Sequence, residues 1–231
     1  MHIPDGFIDP GTSVAAGAVA AAGLGVAVRK GGDVLEERAV PLAGLVAAFV
    51  FAAQMANFPV AAGTSGHLIG ATLAAVLVGP WVGSLCIAIV LVVQALFADG
   101  GLTALGFNIT NMAMVSGWSG YALFAALRRL LPNRRVWVAA ASGVAAGASV
   151  VLAALAFVAE YAVGGSGGIS IVTAAAAMAG VHAFIGIGEG LITAATVAMV
   201  LGVRPDLVYA ATDVARVPPA RAGRGAEQTS G

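Results

Sequence analysis

Long apolar runs, broken by short polar or Gly/Pro-rich joints, fill this chain almost from end to end. Crossing the hydrocarbon core of a bilayer takes roughly 20 mostly apolar residues. Runs of that kind lie at about 11–28, 40–58, 67–79, 81–98, 108–127, 136–160 and 171–202. They predict an all-α membrane protein, a polytopic bundle of about seven transmembrane helices. The third run is short and abuts Gly79-Pro80, so a tilted, broken or partial span is expected there. The last run is long enough to tilt or to emerge from the bilayer. Ala, Gly and Val dominate, and small residues let helix backbones approach closely where van der Waals packing joins helices in lipid. Residues 1–209 read as a single transmembrane domain. Residues 210–231, with Pro218-Pro219 and little apolar content, read as a disordered cytoplasmic tail.

Composition sharpens this picture. Hydrophobic residues make up 60% of the chain and charged residues 10%, against about 25% charged in a soluble domain. So little charge cannot cover a surface against water, and membrane lipid must do so. The net charge of zero argues against a nucleic-acid partner. Cys86 is the only cysteine, so no internal disulfide can form. Met1-His2-Ile3-Pro4-Asp5-Gly6 has no basic stretch ahead of an apolar core, and the mature N-terminus is expected to be the encoded one.

The basic residues give the direction. Arg29, Lys30 and Arg38 fall between runs one and two, and Arg128, Arg129, Arg134 and Arg135 between runs five and six. Arg204, Arg216, Arg221 and Arg224 follow run seven. With seven spans all eleven lie on one side, and basic loops stay cytoplasmic. The N-terminus is expected outside and the C-terminus in the cytoplasm.

Three histidines occur: His2, His67 and His182. A terminal amine, the next peptide nitrogen and the His2 Nδ1 can close two fused chelate rings on a metal. Such a nitrogen-rich set suits Ni(II), Cu(II) or Co(II). Asp5 and Asp9 would add negative potential near the same mouth. His67 closes Gly63-Thr64-Ser65-Gly66-His67, shortly after Asn57-Phe58-Pro59. Irregular backbone at membrane depth is tolerated where it is buried or lines a cavity. Gln54, Asn57, Thr64, Ser65 and His67 are polar residues at that depth and candidates for function. By topology this stretch lies on the His2 side, and His67 could supply a fourth nitrogen to a roughly planar site.

His182 and Glu189 are seven residues apart in the last run, on one helix face. They read as an interhelical hydrogen-bonding or supporting pair in preference to a ligand pair. Gly186 and Gly190 form a small-xxx-small pair for helix packing. Asp99 reads as an outer-loop residue. Lys30 is the only lysine and no G-x-x-x-x-G-K-[ST] contains it, so no phosphate-cradling loop is present and no ATP is expected to bind this chain. A transporter subunit, not an enzyme, is the expectation.

Met1–Gly6, Gln54–Val60, Gly63-Thr64-Ser65-Gly66-His67-Leu68, Phe97–Gly106 with Asn108 and Asn111-Met112, and His182–Glu189 together resemble the CbiM/NikM family. These are the substrate-specific components of cobalt and nickel energy-coupling-factor transporters, of the ABC class. The resemblance spans residues 1 to about 209. It implies a seven-helix protein of the cell inner membrane whose N-terminus tucks back into the bundle. It implies a metal held by the Met1 amine, the His2 amide nitrogen and imidazole, and His67. Asn57, Ser65, His182 and Glu189 would stand behind these ligands. Co2+ or Ni2+ is the transported substrate, and cobalt import for cobalamin biosynthesis is taken as the function, with nickel import as the alternative. Implied partners are a transmembrane coupling subunit, two ATP-binding subunits and a small accessory membrane subunit. The basic tail carries no fused accessory domain, so that protein would be separate. Ala16 and Ala20, one turn apart on the first helix, are a weakly supported docking face.

Two other classes compete. Ser65 with His182 could form the dyad of a rhomboid-like intramembrane protease, but that leaves the Met1-His2 start unexplained. An ion-gradient-driven carrier is disfavoured because Glu189 stands nearly alone as an intramembrane carboxylate.

Overall fold

The computed structural model describes residues 1–32, 40–56, 58–59 and 65–211, without the side chains of 58, 59 and 65. Helix α1 runs Pro10–Gly32, α2 Val40–Gln54, α3 Ala71–Val78 and α4 Pro80–Leu96. A helical rod follows from α5 (Leu105–Asn108) through a π-helical stretch (Ile109–Ser116) into α6 (Gly117–Leu130). Helix α7 is Arg135–Gly164 and α8 is Ile171–Val203, with two 3₁₀ turns behind it. Strands β1 (Phe58–Pro59) and β2 (Ser65–Gly66) form a two-residue antiparallel ladder on the approach to α3.

Among the described residues α1, α7 and α8 are long and apolar enough to cross a bilayer, and α2 and α4 are shorter apolar helices. The third run departs from a span. It yields an eight-residue helix, α3, bracketed by Gly70 at φ 74° and Gly79 at φ 89°. At a rise of 1.5 Å per residue α3 is only about 12 Å long. All eight of its residues are buried, so α3 is a core helix enclosed by its neighbours and does not meet lipid.

The polarity of the long helices is the reverse of a soluble protein's. Helix α8 buries Met178, His182, Gly186, Glu189 and Thr193 on one face. It exposes Phe184, Ile187 and Leu191 on another, at 79%, 63% and 69%. Apolar side chains outward and polar ones inward is the pattern a lipid solvent selects.

Helices α7 and α8 meet backbone to backbone. A Cβ built on Gly143 would lie 2.6 Å from the Gly190 carbonyl oxygen, and one on Gly186 would lie 2.7 Å from that of Gly147. The Gly186/Gly190 pair thus packs against a second small-xxx-small pair on α7. Ala16 and Ala20 are buried inside the bundle. Their face packs inward, against the crossing where a Cβ on Gly106 would lie 2.8 Å from the Ala16 carbonyl carbon. They are therefore not an outer docking face, a correction that follows from close helix packing.

The two ends of the bundle differ. One end carries Arg29 and Lys30, whose Nζ lies 4.5 Å from the Trp81 ring centroid, and Tyr209, packed where a Cβ on Gly79 would point. The other carries residues 1–9, the 97–103 loop and the 164–170 loop. There Asp9 N–H donates to Gly164 O, Ser166 N–H to Phe7 O and Gly101 N–H to Ile3 O. Asp9 also caps α1, accepting from Thr12 N–H and Thr12 Oγ1, ahead of Pro10 in the first helical position. Ala211 is buried, so packed chain continues two residues beyond the expected boundary at 209; residues 212–231 lie outside the described residues.

Helix α4 ends in a Schellman motif: Asp99 N–H donates to Gln94 O and Ala98 N–H to Ala95 O. The residue that takes the left-handed conformation there is Ala98, at φ 61°, where glycine is usual. That conformation costs an L-residue roughly 1–2 kcal/mol. Ala98→Gly is therefore expected to stabilise the protein by about 1 kcal/mol, read as a raised unfolding temperature in detergent; an unchanged or lowered one would count against strain at this turn.

Candidate metal centre

The first eight residues form a plug. Met1, His2, Ile3, Phe7 and Ile8 are buried, and Phe7 lies against Phe157 and Tyr161 of α7. Buried backbone needs partners, and Asn108 supplies them to Ile3. Its Oδ1 accepts from Ile3 N–H at 2.8 Å, and its amide donates to Ile3 O at 3.3 Å. Asp5 is tied to the neighbouring loop, accepting from Thr103 N–H and Oγ1 at 2.7 and 2.6 Å. With Asp9 capping α1, both acids expected to draw cations also hold structure.

The approach of backbone to backbone requires glycine twice. Gly100, at φ 101°, faces His2; a Cβ there would lie 2.8 Å from His2 Nδ1. A Cβ on Gly101 would lie 2.7 Å from the Pro4 carbonyl carbon. The Asp99–Thr103 loop wraps the N-terminus at this distance only because both side chains are absent.

His67 arrives on the irregular stretch before α3. Its ring centroid is 4.6 Å from that of His2, with the planes tilted by 32°. Nδ1 lies 2.8 Å from Leu68 O. A carbonyl can only accept, so Nδ1 carries the proton and Nε2 a bare lone pair. That Nε2 is buried and has no hydrogen-bond partner among the described residues. His182 has the same arrangement on α8, with Nδ1 at 2.8 Å from Met178 O and a buried, unpartnered Nε2.

The stretch carrying His67 is held by one buried carboxylate. Glu189 Oε2 accepts from Ile69 N–H at 2.6 Å and Oε1 from Gly70 N–H at 2.8 Å. Gln54 Nε2 donates to Ile69 O at 2.7 Å. Glu189 thus acts through backbone two and three residues from His67. Asn57 and the side chain of Ser65 lie outside the described residues.

Burial sets the protonation of the plug. It lowers the Met1 amine from about 8.0 to about 4, with the Asp99 charge pulling weakly the other way. It lowers the His2 imidazole from 6.5 to about 3, with the nearby amine adding to the shift. Both nitrogens are neutral at pH 7 and offer lone pairs. No group of three His, Cys, Asp or Glu side chains able to hold a metal is found among the described residues. A metal at this place would have to use main-chain nitrogen beside the two imidazoles.

Sequence reasoning named His2, His67 and Glu189 but gave no role to Asn108, Gly100 or Gly101. An asparagine at membrane depth and a Gly-Gly pair beside an acid were the available signals.

Residues 2–207 match the CbiM family, described as cobalt uptake substrate-specific transmembrane region. The chain belongs to the CbiM family. It is similar to a putative fused nickel transport protein NikMN of Archaeoglobus fulgidus, 39% identical over 90% of this chain and 68% of that protein. It is 36% identical to cobalt transport protein CbiM of Sorangium cellulosum over 73% of this chain and 76% of the other. A crystal structure of a truncated transition metal transporter superposes with TM-score 0.81 at 33% identity, covering 87% of this chain and 99% of that one. This is therefore a multi-pass membrane protein of metal-ion transport, from a family of components of multi-subunit transporters. Membership in that family speaks against the protease reading of Ser65 and His182.

Removing Glu189 leaves two buried N–H groups without an acceptor, at about 1–3 kcal/mol each. Glu189→Ala is expected to lower the unfolding temperature and to weaken metal binding about 10- to 100-fold by releasing the His67 stretch. Isothermal titration with Ni(II) on folded variant checks this, and an affinity within twofold of the parent protein would rule the clamp unimportant.

Proposed function

We propose that this chain captures a divalent cobalt or nickel ion in a near-planar field of four nitrogens. They are the Met1 amine, the His2 amide nitrogen, His2 Nδ1 and His67 Nε2. The observation that carries the reading is the bare, buried His67 Nε2 beside the His2 ring at the buried N-terminus. A strong nitrogen field of this shape suits d⁸ Ni(II), and Co(II) accepts it. Relatives named for each metal support a site of this shared type, with cobalt for cobalamin biosynthesis the first assignment and nickel the alternative.

In this reading the chain is the substrate-binding subunit of an energy-coupling-factor transporter in the inner membrane. It binds no ATP. A transmembrane coupling subunit and two ATP-binding subunits supply the motion that turns the site inward, and a small accessory membrane subunit assists. The N-terminus faces outward, supported by the basic residues of the opposite end. Among the described residues seven helical segments cross or line the bundle, counting α3 and the α5–α6 rod as one each. Metal arrives from the outer face, and the chelate displaces its water. The His2 amide gives up its proton, while the amine and imidazole are already neutral.

The decisive experiment uses three purified forms: native, extended by one glycine before Met1, and acetylated at the amine. Extension and acetylation both turn the amine into an amide, and both are expected to abolish tight binding while the bundle stays folded. Tight binding by the acetylated form would remove the amine from the ligand set.

The pH dependence follows from burial. At reference values of about 7.7–8.0 and 6.5, the amine and imidazole would compete for protons with the metal already below about pH 7. Their folded values lie near 4 and 3, so the docked N-terminus stays neutral as pH falls to about 5. The unfolded chain binds those protons first, so docking itself weakens as pH falls below about 8. Affinity between pH 7 and 5 is expected to track release of the amide proton, about tenfold per pH unit. A slope near three protons per metal would show that the two groups titrate at reference values.

A further inference from the structure

We propose that Asp99 is a positioning residue for the metal: its carboxylate accepts the His2 Nε2–H and aims His2 Nδ1 into the site. This rests on the four-nitrogen reading above. An imidazole that gives Nδ1 to a metal carries its proton on Nε2, and that proton needs an acceptor when buried. His2 Nε2 is buried and has no hydrogen-bond partner among the described residues. The carboxylate facing it is Asp99, with Oδ2 at 3.9 Å.

The Asp99 backbone is fixed on both sides. Its own N–H closes the Schellman turn on Gln94 O, and Gly101 N–H, two residues on, holds Ile3 O. Gly100 between them lies against the other ring nitrogen, Nδ1. The loop therefore grips the imidazole, glycine at the metal side and carboxylate at the far side. About 1 Å of side-chain movement would bring 3.9 Å to hydrogen-bond length. The Asp99 side chain is only 23% exposed, so the contact would form largely shielded from water.

Charge points the same way. A divalent ion with one deprotonated amide and three neutral nitrogens leaves a single positive charge. A buried charge is costly unless paired. The Asp99 carboxylate compensates it and makes the imidazole a stronger donor.

The test measures Ni(II) affinity and the ligand-field absorption of the bound ion in the native protein, Asp99→Ala and Asp99→Asn, with circular dichroism confirming the fold. Asp99→Ala is expected to weaken binding about 10- to 100-fold and to shift the absorption band to lower energy. Asp99→Asn, which keeps an acceptor oxygen, is expected to recover most of the affinity. If Asp99→Ala binds within twofold of native with an unshifted band, the role is overturned. Equal losses in the two variants would also overturn it, leaving charge without positioning. A variant-free measurement guards against misfolding: in native protein with ¹⁵N-labelled histidine and planar, diamagnetic Ni(II), a His2 Nε2–H slow to exchange supports the contact, and a rapidly exchanging one refutes it. Failure of the native protein to bind Ni(II) or Co(II) would instead sink the four-nitrogen reading itself, and this inference with it.

Discussion

No polar backbone group can be left without a partner inside a membrane protein, and the insertion of residues 1–8 turns that constraint into an architecture. A chain end carries a charged amine and unpaired peptide groups, which belong in water. Here it is buried, and specific neighbours meet several of its needs: Asn108 for Ile3, Gly101 for Ile3 O, Ser166 for Phe7 O, Gly164 for Asp9 N–H. The apolar side chains of Met1, Ile3, Phe7 and Ile8 supply the favourable burial. The polar pairs fix where the plug stops, and so place His2 beside His67.

The same constraint explains the irregular segment opposite. Just ahead of α3, the Ile69 and Gly70 peptides are satisfied from other helices, by Glu189 and Gln54. A carboxylate with two backbone donors is a stiff joint. It transmits the position of α8 to the His67 stretch, while the short helix α3, enclosed on all sides, gives that stretch a fixed floor. The two halves of the centre are thus set by different elements, the plug by the loops at one end and His67 by α8 and α2.

Much of this was legible in the residues, and the gaps have physical causes. Helix positions followed from hydrophobic runs because lipid rewards apolar surface wherever it is exposed. The run at 67–79 was legible as short or broken but not as a core helix, because an eight-residue helix buried in a bundle is as apolar as a span and is stopped by the positive φ of Gly70 and Gly79. Ala16 and Ala20 looked like a docking face because small residues mark close packing without saying against what. His2 and His67 were recognisable from chemistry rare in a membrane. The part of Asn108 was not, since its partner lies 105 positions away and a lone amide carries no address. Gly100 and Gly101 carried no signal of a role, since the absence of their side chains is what admits the N-terminus.

The Glu189 clamp also orders events in time. Its acceptor oxygens lie on α8, the final long helix of the described chain, while the plug precedes α1. A chain with α1 to α7 in place holds both His2 and His67, yet the stretch that carries the second has only the Gln54 contact and lacks the two-donor carboxylate joint. The clamp forms only when α8 has packed against the stretch before α3. A product truncated before α8 would therefore carry His2 and His67 without the clamp that fixes the second.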